Sequence, residues 1–209
     1  MNHQVDSDQS SSHLSDISAI RERARQHISD GAVTPSYNAN KEVVLKLLNE
    51  ALATELVCVL RYRRHYYMAE GVLAEGVKKE FLEHSHEEQE HADLIAERIV
   101  QLGGAPNFDP NGLSTRSHAE YAEGHTLEEM ITEDLVAERV AIESYREMVE
   151  YIGVHDPSSR RLLERILAVE EEHAEELSSM LKGVHALSKS PPAAANAKPQ
   201  ATPPSAKGG

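Results

Sequence analysis

The chain has a single cysteine, Cys58, and no tryptophan. One cysteine excludes an internal disulfide framework and any centre that needs four thiolates. Aromatic residues make up only 4% of the sequence, and Ala, Leu, Glu and Arg dominate its middle, as in helical bundles. No apolar run approaches the length of a membrane span, and Met1-Asn2-His3-Gln4-Val5-Asp6 holds no apolar signal region. These absences predict a cytoplasmic protein with no membrane partner. Basic residues are also short: 21 Lys and Arg face 35 Asp and Glu, for a formal net charge of −14. That balance argues against general affinity for nucleic acid. It suits a protein that concentrates cations, and equally one that is merely kept soluble. At 209 residues the chain can bury one good core, and a second domain is not expected.

What is present is a duplicated pattern. Glu88-Gln89-Glu90-His91 returns as Glu170-Glu171-Glu172-His173. Residues three apart share a helix face, so each quartet sets a carboxylate beside an imidazole. Both pairs fall inside an apolar stripe: Val77, Phe81, His84, Glu88, His91, Ile95 in one case, and Leu163, Ile166, Glu170, His173, Leu177 in the other. Each is preceded by a lone glutamate that also interrupts a stripe, Glu55 and Glu138. Glu88 follows Glu55 by 33 residues and Glu170 follows Glu138 by 32. A tyrosine stands seven positions after each lone glutamate, Tyr62 and Tyr145. By contrast Glu83 and His86, with the same spacing as the quartets, point about 140° away on a helix of 3.6 residues per turn and read as solvated surface. Buried unpaired carboxylates are costly, so residues at these positions need partners, and metal ions are the most economical.

Capping signals divide the chain. Leu14 to Ser29 carries apolar residues at helical spacing and predicts a short amphipathic helix, ended by Gly31 and Pro35. The first long helix starts at the N-cap Asn40 and runs to about Ala69. The second runs from about Val77 to Leu102 and stops at Gly103-Gly104-Ala105-Pro106. Thr126 with Glu129 forms a capping box for the third, which ends near Ile152-Gly153. Asp156-Pro157 opens the fourth, which is expected to end at Lys182-Gly183. Two short turns make two antiparallel hairpins, and roughly twenty residues between the second and third helices fit a crossover along the length of a bundle. The fold class is therefore all-α: a ferritin-like four-helix bundle with one long crossover. The organisation reads as an N-terminal extension over residues 1–37, the bundle over 38–184 and a disordered Pro/Ala/Lys tail over 185–209.

In such a bundle Glu55, Glu88, His91, Glu138, Glu170 and His173 converge. One Glu from each of two helices plus Glu-x-x-His from each of the other two is the ligand set of di-iron and di-manganese carboxylate proteins. Carboxylates are hard and imidazole intermediate, a set suited to Fe(II), Mn(II) or Zn(II). Glu88 and Glu170 are placed to bridge two ions, with Glu55 and His91, and Glu138 and His173, as terminal ligands. Tyr62 joins them as a candidate catalytic residue. His84 is expected at a pore or on the surface rather than as a ligand, and Cys58 as a small core residue.

At this point the chain resembles a bacterioferritin. Leu48 to Leu56 with Tyr62, Glu88-Gln89-Glu90-His91-Ala92-Asp93, Asp134 to Glu138 and Glu170 to His173 are similar to that family's four helices. The resemblance covers about residues 40 to 182. It implies a ferroxidase centre with two iron ions per subunit, which oxidises Fe(II) with O2 or H2O2 and stores ferric mineral in a hollow homo-oligomer. Two departures matter. The family's haem ligand is a Met just after the second-helix Glu; Gln89 stands there, so haem is not expected. The chain also has a Pro/Ala/Lys tail where the family has a fifth helix, and so resembles Dps-like proteins with an intra-subunit site and a shell of 12 subunits rather than 24. The rival readings are a manganese-catalase-like enzyme and a DNA-protecting shell. For the latter, Lys189, Lys198 and Lys207 in a tail without acidic residues are the candidate DNA contacts.

Overall fold

The computed structural model describes residues 16–188 and contains six α-helices. The segment expected to be disordered at the N-terminus and the tail from residue 189, with its lysines, lie outside the described residues.

Four long helices form the bundle. α2 (Lys41–Met68) and α3 (Ala74–Gln101) make one antiparallel hairpin, and α5 (Leu127–Ile152) and α6 (Pro157–Ser188) the other. α1 (Ile17–Arg23) precedes them, and α4 (Leu113–Arg116) is a single turn within the crossover. The starts are set by side chains that satisfy the first free amides. Asn40 accepts from the Val43 amide, and Thr126 and Glu129 close a reciprocal capping box. Asp156 accepts from the amide and hydroxyl of Ser159.

Three boundaries differ from the sequence reading. α3 begins at Ala74, so Gly76 lies inside its first turn rather than in the connection. α6 continues through Gly183 to Ser188. Gly183 keeps helical backbone there, because Val184 packs against the bundle core and His185 Nε2 reaches Glu128 Oε1 at 2.7 Å. The N-terminal helix is shorter than expected, seven residues with none buried. A helix that short needs tertiary packing to persist, and the first side chains packed against the apolar core are Val33 and Tyr37.

The crossover lies along α2, held by polar groups of that helix. Asn49 Oδ1 accepts from the Asn107 amide and Thr54 Oγ1 from the His118 amide. Arg61 donates to the Glu120 carbonyl, and His65 Nε2 lies 2.9 Å from the Glu123 carbonyl. At its start Gly104 sits so close to Leu45 that a Cβ would come within 2.5 Å of Leu45 Cδ2.

The apolar core has two parts. One gathers Val44, Leu48, Leu52, Ile95, Ile99 and Ile152 near one end of the bundle. The other gathers Cys58, Tyr62, Val77, Phe81, Ile131 and Leu177 near the opposite end. On every long helix the residues that interrupt the stripe fall between the two. Among the described residues no helix is long and apolar enough to cross a membrane.

Candidate metal centre

The bundle brings all six predicted ligand positions to one level. Glu55 comes from α2, Glu88 and His91 from α3, Glu138 from α5, and Glu170 and His173 from α6; none is more than 6% exposed. His91 Nδ1 lies 3.0 Å from Glu170 Oε1, 3.4 Å from Glu55 Oε2 and 3.6 Å from Glu88 Oε2. His173 Nδ1 lies 3.5 Å from both Glu88 Oε1 and Glu170 Oε2. The donor atoms form two groups, each within 4.8 Å: Glu55, Glu88, His91 and Glu170, and Glu88, Glu138, Glu170 and His173. Glu88 and Glu170 belong to both.

These atoms are close but not aligned for donation. Glu55 Oε2, Glu88 Oε1, Glu138 Oε2, both Glu170 oxygens and the Nδ1 atoms of His91 and His173 are buried with no hydrogen-bond partner. One such orphan costs about 1–3 kcal/mol, so this concentration is not a packing solution. A hard acceptor set facing inward, with two imidazole nitrogens, fits divalent cations. The other oxygens of Glu138 and Glu55 are held reciprocally. The Tyr62 hydroxyl donates to Glu138 Oε1 and the Tyr145 hydroxyl to Glu55 Oε1, each tyrosine serving the lone glutamate of the other helix pair.

Burial and crowding set the protonation. Burial lifts the Glu55 carboxyl to about 8, with the nearby Glu88 charge adding to it. Burial, then Glu88 and Glu170, hold Glu138 well above the usual carboxylate range. Burial and Glu170 push Glu88 the same way, but contacts from Glu55, His173 and His91 outweigh them and leave it lowered. Glu170 is likewise lowered, by His173, His91 and Glu138 acting against burial and Glu55. Burial pulls His173 down, yet Glu170 and Glu88 raise it to about 12; His91 is raised in the same manner by Glu170, Glu55 and Glu88.

Around this centre the structure adds Glu87, Glu176, Arg61 and His65, which the sequence did not single out, and gives partners to His84, which it did. Glu87 Oε2 lies 2.8 Å from His173 Nε2 and fixes that ring. His84 is neither on the surface nor free: it is 1% exposed, its Nδ1 lies 3.2 Å from the Tyr62 hydroxyl and its Nε2 2.9 Å from Glu176 Oε2. It stacks on His173 with ring centroids 4.0 Å apart. Beyond Tyr62, a buried network joins Arg61 Nε to Asp134 Oδ1 and His65 Nδ1 to Asp134 Oδ2, both at 2.7 Å. The one usable signal was the i, i+4 pair Arg61 and His65 on the buried face of α2. Cys58 is a buried core residue, as expected. Glu83 and His86 are exposed.

Known proteins carry the same architecture. The ferritin-like domain family matches residues 45–186. The bacterioferritin of Mycobacterium leprae (strain TN) is 36% identical over 143 residues, which cover 66% of this chain and 83% of that one. Among solved structures, a dodecameric thioferritin, the bacterioferritin-related protein from Bacteroides fragilis, aligns with a TM-score of 0.69 at 29% identity, over 72% of this chain and 90% of that one. Dps from Thermosynechococcus elongatus aligns with a TM-score of 0.65 at 25% identity, over 68% and 91% respectively.

Proposed function

The chain belongs to the ferritin-like domain family, among bacterioferritin-related proteins, and from that premise we propose that it is a ferroxidase that oxidises Fe(II) to Fe(III) for storage. The observation that carries the proposal is the pair of four-residue donor groups that share Glu88 and Glu170. In this reading Glu88 and Glu170 would serve both iron ions, Glu55 and His91 would hold one of them, and Glu138 and His173 the other. When bound, the pair supplies two electrons, enough to reduce O2 to H2O2 or H2O2 to water.

The chain's own residues prepare this. Tyr62 and Tyr145 hold the terminal carboxylates Glu138 and Glu55, and Glu87 orients the His173 ring. The apolar clusters on either side keep bulk water from the centre. Gln89 donates to Asp93 at 3.0 Å and offers no sulfur to a haem iron, which supports the reading that haem takes no part. Ferric product collects in a hollow homo-oligomer. A shell of twelve subunits is the reading supported by the likeness to the dodecameric Bacteroides fragilis protein.

The test is anaerobic loading with Fe(II), followed by O2 or H2O2 with the consumed oxidant measured. Glu88→Ala should abolish the rapid phase, while Glu90→Ala, an exposed residue on the same helix, should keep it. Equal rates in both variants would remove the ligand assignment. Vigorous release of O2 from H2O2 by manganese-loaded protein, with no Fe(II) oxidation, would favour the catalase reading instead.

A further inference from the structure

Outside the central site, between α3 and α6, lies a cleft of about 160 Å³. Five glutamates line it, Glu80, Glu83, Glu87, Glu172 and Glu176, together with His84 and His173; no Lys or Arg is among the lining residues. Two groups of donor atoms in it are compact enough to hold an ion: Glu80, His84 and Glu176, and His84, Glu87 and His173. The second group needs the outward nitrogen of His173, whose other nitrogen already faces the central carboxylates. The first group makes no such demand.

His84 is the decisive member. The single proton of the Tyr62 hydroxyl is committed to Glu138, so its oxygen accepts from His84 Nδ1. That contact and the stack on His173 fix the imidazole and aim Nε2 into the cleft, at Glu176. A 1%-exposed ring thereby presents one nitrogen beside a carboxylate that is 45% exposed, with Glu80 one turn earlier on α3. Two carboxylates and one imidazole on two helices, open to solvent on one side, make a three-ligand site with room for water.

We propose that Glu80, His84 and Glu176 form a further divalent-cation site, separate from the central pair and open to the solvent side of the cleft. Its ligands are carboxylate and imidazole, so it takes borderline and hard divalent ions such as Zn(II), Fe(II) and Mn(II). None of the six central residues supplies a ligand to it, and it holds whether or not the centre oxidises iron.

The probe is Zn(II), which is redox-inert, added to the full chain in crystals measured at the zinc absorption edge. An anomalous peak within bonding distance of Glu80, His84 and Glu176 is expected. It should vanish in Glu176→Gln and weaken in Glu80→Gln, and zinc titrations of the same variants in solution should lose one equivalent. No peak there in the wild type would overturn the proposal, as would a peak that survives both substitutions together. Central peaks without the outer one refute this site alone. The outer peak without the central ones upholds it and refutes the central ligand assignment.

Discussion

Glu55 and Glu138 are kept protonated by burial, and His91 and His173 by the carboxylates around them. A metal ion binds only the deprotonated forms, so loading the metal-free protein must expel protons. Adding Zn(II) at neutral pH in weak buffer should acidify the solution, and apparent affinity should rise as pH climbs towards the Glu55 value of about 8. Binding with no proton release would show that the site is already deprotonated. Arg61 has a different task. Removing it leaves Asp134 buried beside His65 alone, and Arg61→Ala should lower unfolding free energy by about 3–5 kcal/mol in urea melts. The six central residues were legible because helical phase and duplication are properties of one chain read along its length. Glu176 and Asp134 were not, because their meaning lies in partners 92 and 73 residues away, across helices.

At the start of α6, Asp156 accepts from Ser159, Arg98 and the Tyr37 hydroxyl. Burial works against its charge, but contacts from Ser159, Tyr37 and Arg98 prevail and hold it below the ordinary value of 3.8. A carboxyl whose folded pKa is lowered stabilises fully above its unfolded value and loses that contribution as pH falls through the folded one. Thermal stability should therefore drop below about pH 4, and Asp156→Asn should lower stability at neutral pH while flattening that acid limb. An unchanged acid limb would dissociate the cap from acid stability. Caps such as Asn40, Thr126 and Asp156 were readable because they act within one turn. Gly183 misled for the complementary reason. Its local signal says stop, while Val184 and His185, tied to the bundle, carry the helix on.

For the whole molecule, the long crossover is what places two like hairpins around one centre. Its length was legible; the polar contacts from Asn49, Thr54, Arg61 and His65 that fix its path were not, since their partners lie 58 to 64 residues further along the chain. The inward-facing acceptor cluster costs the fold stability that a bound ion would restore. An ion at one hundred times its dissociation constant stabilises by about 2.7 kcal/mol, so Zn(II) should raise the melting temperature of the wild type clearly and that of Glu88→Ala much less. Equal shifts would locate the stabilising ion elsewhere. Two ions that share Glu88 and Glu170 would be coupled magnetically. Mössbauer spectroscopy of protein loaded anaerobically with two equivalents of ⁵⁷Fe(II) per subunit and then exposed to oxidant reads that coupling. Most of the iron should appear as antiferromagnetically coupled ferric pairs in the wild type and as isolated high-spin Fe(III) in Glu88→Ala; isolated Fe(III) in the wild type would show that the two glutamates are not shared.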